Sequence, residues 1–164
     1  MKYKQLLASL VLAMVIFLFP LTAQAASSSS ITRSVGEEVE AQDYSGQNLN
    51  GTEFTNVILK NTNFSNADFR GGVFNGSLLE GVNLHGVDFS EGIAYLTQFK
   101  GADLSDAVFT NAMMLRSVFD NVDITGADFT NAILDGPQIK KLCAQASGVN
   151  PQTGADTRES LECR

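Results

Sequence analysis

The chain has no tryptophan, a single histidine, His85, and only two cysteines, Cys143 and Cys163. It has no phosphate-binding loop and no Cys/His spacing of the zinc-binding kind. Basic residues are also scarce, with eleven Lys and Arg against eighteen Asp and Glu. That balance argues against nucleic acid or an anionic membrane surface as a partner. Beyond the first 25 residues no apolar run is long enough to span a membrane.

Those first residues read as a leader. Lys2 and Lys4 give a basic start, Leu6 to Leu21 is nearly all apolar, and Ala23-Gln24-Ala25 is a small-x-small cleavage pattern. Residues 1–25 are therefore expected to be a secretory signal peptide cut after Ala25. The alternative is an uncleaved anchor, but the run falls short of the roughly 20 residues a spanning helix needs. No cysteine follows the cleavage site for lipidation, so no stable membrane insertion is expected after cleavage. Without Lys2 and Lys4, nine basic residues face eighteen acidic ones, a formal charge of −9. The rest suffices for one domain. In an exported chain, an even pair of cysteines reads as a Cys143–Cys163 disulfide.

What is present in excess is a spacing of five. Stepping by five from Tyr44 to Leu134 gives nineteen centres without a gap, all large and apolar except Ala94. Two residues before each centre the side chain is small, as at Ala67, Gly72, Ser77, Ala107 and Ala127; Gln42 and Gln47 break the rule. A helix would spray such centres around its axis, advancing roughly 140° per step. A straight strand would flip each to the opposite face. The pattern works if the chain turns a corner every five residues, with the centre and the small residue pointing inward. Two residues after each centre stands Gly or Asn in fifteen of nineteen repeats, the residues that best tolerate a positive φ. Each repeat thus ends in a turn, and the chain winds as a solenoid. Phe69, Phe89, Phe109 and Phe129 lie twenty apart, as do Asp68, Asp88 and Asp128. Four sides of five make a square coil, with coils stacked about 4.8 Å apart.

The run GADLSDAVFTNA…GADFTNAILDG resembles the pentapeptide-repeat family, whose consensus is Ala-Asp/Asn-Leu/Phe-x-x. The resemblance covers residues 42–136 and implies an all-β solenoid, a right-handed quadrilateral β-helix. The tail KKLCAQASGVNPQTGADTRESLECR resembles the C-terminal cap of thylakoid-lumen members from cyanobacteria and chloroplasts. It implies a lumen address. A short bacterial-type leader favours a cyanobacterium, and the same leader would serve the periplasm.

The ends need lids, because a solenoid exposes its stack there. Residues 137–164 are expected to be a helical, disulfide-clamped C-terminal cap. Pro137 suits the first turn of one helix, Gly148 its end, and Asp156 with Glu159 starts a second. Residues 26–41 are expected to be linker and N-terminal cap: Ser-rich linker over 26–33, then a short helix from Ser34 to Gln42 with Ser34 and Glu37 as its box.

His85 stands at an outward position with no obvious partner, and the two cysteines are better explained as a bridge than as a nucleophile. No catalytic residue, metal or cofactor is assigned. The outward residues just before the centres sort by side. Two sides carry Asp and Asn, as at Asp68, Asp88, Asn83 and Asp103. The other two are apolar, as at Val73, Ile93, Ile58 and Leu78. The repeat is weakest at SEGIAYLTQF, where Ala94 replaces a large centre and Leu96 stands where a turn wants Gly or Asn. An altered turn is expected there, with Phe74 or Met114 leaning into the gap. Val73, Ile93, Tyr95, Leu96, Met113 and Leu115 are the expected partner patch. The leading expectation is a non-catalytic lumenal scaffold that binds a protein partner through its outer faces. The alternatives are a redox-responsive protein using the disulfide and a divalent-ion binder on the Asp/Asn faces. DNA mimicry, known in the family through gyrase protection, is disfavoured by export.

Overall fold

The computed structural model describes residues 36–164. Five short strands recur in it: β1 (Glu38–Glu40), β2 (Ile58–Lys60), β3 (Leu78–Glu80), β4 (Gln98–Lys100) and β5 (Val118–Asp120). They pair in parallel in chain order, each residue beside the one twenty positions on, as Phe99 is beside Phe119. This is the first side of the coil. The second side is the bridged column Asp43, Asn63, Asn83, Asp103 and Asp123; the third runs Asn48, Asp68, Asp88, Val108 and Asp128; the fourth runs Glu53, Val73, Ile93, Met113 and Ile133. The result is the four-sided parallel solenoid expected from the spacing of five.

Every corner uses the same backbone device. The residue two after each centre, from Ala41 to Asn131, has a φ between +49° and +71°. Eight of these corners are glycine and six are asparagine; the rest are Ala41, Glu91, Leu96, Asp106 and Arg116. The turn is therefore imposed by stacking on neighbouring coils even where the side chain disfavours it. The seam accordingly keeps the ordinary turn, against the expectation of an altered one: Leu96 takes φ +56° and its amide donates to the Leu115 carbonyl at 3.2 Å.

Inside, the centres fill the coil. Phe69, Phe89, Phe109 and Phe129 are fully buried and form one column, with successive ring centroids 5.4, 6.0 and 5.1 Å apart. Burying each such ring contributes roughly 1.5–3 kcal/mol. At the seam, Phe89 leans over Gly92, where an added Cβ would lie 2.5 Å from the ring. Phe74 stacks on Phe89 at 5.5 Å. The same contact with a glycine recurs one coil earlier, where Phe69 leans over Gly72, and Ala94 is itself fully buried.

One inward column is polar. Ser77, Thr97 and Ser117 are buried, and their hydroxyls donate to the carbonyls of Phe54, Phe74 and Ala94 in the coil before. Val57 and Thr97 amides donate back to Ser77 and Ser117. A small hydroxyl thus satisfies backbone groups that would be costly to bury unpaired.

The C-terminal lid is built from α1 (Gly136–Cys143) and α2 (Thr157–Ser160). Pro137 opens α1 as expected, and the Asp156 carboxylate accepts from the amides of Arg158 and Glu159 at the start of α2. Leu142, Ala146 and Leu161 are buried and join the core. Cys143 and Cys163 are bridged, with a Cα separation of 5.6 Å.

Two expectations are corrected here. Gly148 does not end α1, which stops at Cys143; it lies in the following loop with φ +89°. A Cβ there would stand 2.8 Å from the Gly126 amide nitrogen, so the glycine allows two backbones to touch. At the other end, the expected helix from Ser34 to Gln42 is a strand over Glu38–Glu40, and Val39 is a buried centre one step before Tyr44. Pairing with β2 outweighed the local capping signal. The leader, the linker and Ser34 lie outside the described residues.

Candidate interaction surface

The second and third sides spend their Asp and Asn side chains on the coil itself. Most of these side-chain oxygens accept from the backbone amide two residues on, as Asp88 does from Ser90 at 3.0 Å and Asp103 from Ser105 at 2.9 Å. The same bond recurs at Asp43, Asn48, Asn63, Asn83, Asp123 and Asp128. These are Asx turns that brace the corners. Arg70 pairs with Asp68 at 2.7 Å and reaches Asp88 at 3.8 Å, and its hydrogen bond is the main cause of the lowered Asp68 pKa. Among the described residues, no group of three or more His, Cys, Asp and Glu is placed to hold a metal ion. His85 has a partner after all: its Nδ1 lies 2.9 Å from the Ser105 hydroxyl, which donates to Asp103.

The tail covers the corner between these two sides. Asn150 is wholly buried, and its side-chain amide donates to the carbonyls of Asp106, Ala107 and Gly126 at 3.0, 3.3 and 2.9 Å. Its carbonyl oxygen accepts from the amides of Gln152 and Thr153. Gln152 reaches further, to the Gly86 carbonyl at 3.1 Å. The tail is thus both a lid and a strap along one edge. Asp128 lies under it, 2 % exposed. Burial pushes the Asp128 carboxyl up, but hydrogen bonds from Thr130, Thr153 and Thr110 outweigh it and leave the pKa below the usual value.

The opposite corner, between the fourth and first sides, has no such cover within the described residues. Val73, Ile93 and Met113 are bridged in one row, as expected, and the row continues to Ile133, 53 % exposed, which the sequence reading left out of the patch. At the corner itself Leu96 is 48 % exposed and Ile93 36 %. Tyr95 and Leu115 are half-buried beside them. The Arg116 guanidinium sits 5.8 Å from the Tyr95 ring centroid and adds a cation to this surface that the repeat pattern does not signal. All six expected residues therefore fall on one surface.

This arrangement defines a four-sided parallel β-solenoid with two braced polar sides, a strap over the corner between them, and an apolar corner uncovered among the described residues. Pentapeptide repeats match in eight copies, over residues 45–76, 62–93 and 97–136. The chain belongs to the pentapeptide-repeat family. It is similar to a solved pentapeptide-repeat protein of the Arabidopsis thaliana thylakoid lumen, at 31% identity, covering 74% of this chain and 91% of that one, with a TM-score of 0.38. It is also similar to full-length QnrB1, a plasmid-mediated fluoroquinolone resistance protein, at 28% identity with a TM-score of 0.56. That match covers 58% of this chain and 48% of QnrB1, so the chain spans about half its length. No curated protein matches the chain.

Proposed function

We propose that the mature chain is a non-catalytic scaffold that binds a protein partner through the corner between its fourth and first sides. Leu96 carries the reading. It is a branched, half-exposed side chain held at φ +56°, at a corner where the coils before it place Asn56 and Gly76. Such strain at a half-exposed apolar side chain fits a surface kept for contact. Tyr95 and Arg116 beside it are residue types enriched where proteins bind one another. The leader pattern and the tail motif support an exported address, the thylakoid lumen first and the periplasm second.

The test is an Ile93→Glu, Met113→Glu double variant, expressed as the exported protein. Both side chains point outward, so the fold should survive by circular dichroism. Partner capture from the exported compartment should fall at least about tenfold, the loss expected when roughly 1.4 kcal/mol or more of contact is removed. A folded variant that captures as well as the parent protein contradicts the proposed surface.

A further inference from the structure

Within the lid, α1, Arg158 of α2 and the chain after α2 line an open cavity of about 720 Å³. Both bridged cysteines line it, and both are half-exposed. Lys140, Arg158 and Arg164 line it too, with Glu162 as the carboxylate side chain among them. Three cationic side chains against the Glu162 carboxylate and the α-carboxylate of Arg164 leave a net positive rim on a molecule that is otherwise acidic. Among the described residues, Lys140 and Arg164 have no ion pair, whereas Lys60, Lys100 and Lys141 are paired with Glu38, Glu80 and Asp120.

We propose that the Cys143–Cys163 bridge is a thiol–disulfide exchange site for a dithiol reductant carrying negative charge around its reactive thiol. A thiolate of the reductant attacks one bridge sulfur and forms a mixed disulfide. The other cysteine leaves as a thiolate and takes a proton from water. The reductant's second thiol, as its thiolate, attacks the mixed disulfide and displaces the remaining cysteine. Two electrons pass to the bridge, which ends as two thiols, and the reductant ends as a disulfide. The positive rim attracts the incoming thiolate and stabilises the departing one.

The structural consequence is confined to the lid. The bridge closes a span of twenty residues and holds the segment that places Leu161, 3 % exposed, over the core. The Arg158 guanidinium donates to the Cys143 carbonyl across the same junction. The strap is anchored separately by Asn150. Reduction therefore releases residues 158–164 and leaves the strap and the solenoid in place.

The experiment compares bridge opening by 2-mercaptoethanesulfonate, an anionic thiol, and by cysteamine, a cationic one, at equal thiolate concentration. Opening is read by alkylation and mass. At low salt the anionic thiol should be faster by about tenfold, and the ratio should approach one at about 0.5 M salt. A Lys140→Glu, Arg164→Glu variant should abolish or invert the preference. If that variant does not fold, the salt titration of the parent protein decides alone. Equal rates, a preference that the variant keeps, or opening only after global unfolding would each overturn the proposal. Hydrogen exchange of the reduced protein should show lost protection over 158–164 only; unchanged protection there would overturn the release of the lid.

Discussion

Leu96 holds a left-handed backbone that costs an L-residue with a Cβ roughly 1–2 kcal/mol, and 48 % of it faces solvent. Asparagine tolerates that conformation better and sits at the equivalent corner in Asn56. Leu96→Asn should therefore stabilise the solenoid by about 1 kcal/mol in urea unfolding while weakening partner capture. A neutral or destabilising result would mean that Leu96 packs to more purpose than its exposure indicates. Asn150 is the opposite case, since it is fully buried and all its side-chain capacity is used. Asn150→Ala leaves the Asp106 and Gly126 carbonyls short of a donor, while Ala107 keeps the Asp128 amide, and should cost about 2–3 kcal/mol. Hydrogen exchange over residues 148–157 should register the loss first. Asp128 predicts a pH dependence. Its folded pKa is lowered, so the stabilisation is present above the unfolded value and is lost as pH falls through the folded one. Thr153 belongs to the strap, so the strap should loosen below about pH 4. Asp128→Asn should flatten that acid limb in a fluorescence or hydrogen-exchange titration.

Among elements, the four sides differ in what they ask of their side chains. The aromatic column asks for volume: Phe109→Ala should cost about 3–5 kcal/mol in equilibrium unfolding, the usual range for a buried phenylalanine. Period five, period twenty, the Asp and Asn sides and the apolar sides were all legible in the sequence, because each is a direct repeat of residue type. So was the bridge. The strap was not, because Asn150 and Gln152 bind backbone carbonyls, which leave no side-chain signature at Asp106, Gly126 or Gly86. The hydroxyl column was half legible. Ser77, Thr97 and Ser117 recur every twenty positions in a slot read only as small. The helical reading of Ser34 to Gln42 failed because a three-residue capping signal says nothing about the strand waiting at Ile58–Lys60. Leu96 was placed correctly as an irregular residue and wrongly as an irregular turn.

As a whole molecule, the solenoid divides its charge and its exposure unevenly. Residues 36–55 carry Glu37, Glu38, Glu40, Asp43 and Glu53 with no Lys or Arg. Carboxylates on the terminal coil discourage another chain from pairing with β1. The strap covers the corner at Gly86, Asp106 and Gly126, and the open apolar corner lies diagonally across the coil from it. On the proposed reading, contact with a partner falls at that one edge. Site-specific photo-crosslinking inside the exported compartment tests this most directly. A photoreactive residue is placed at Leu96 in one strain and at Asp123, an exposed position on the second side, in another. The account predicts a discrete crosslinked adduct from position 96 and none from position 123. Adducts of equal yield from both positions, or an adduct from 123 alone, would contradict it.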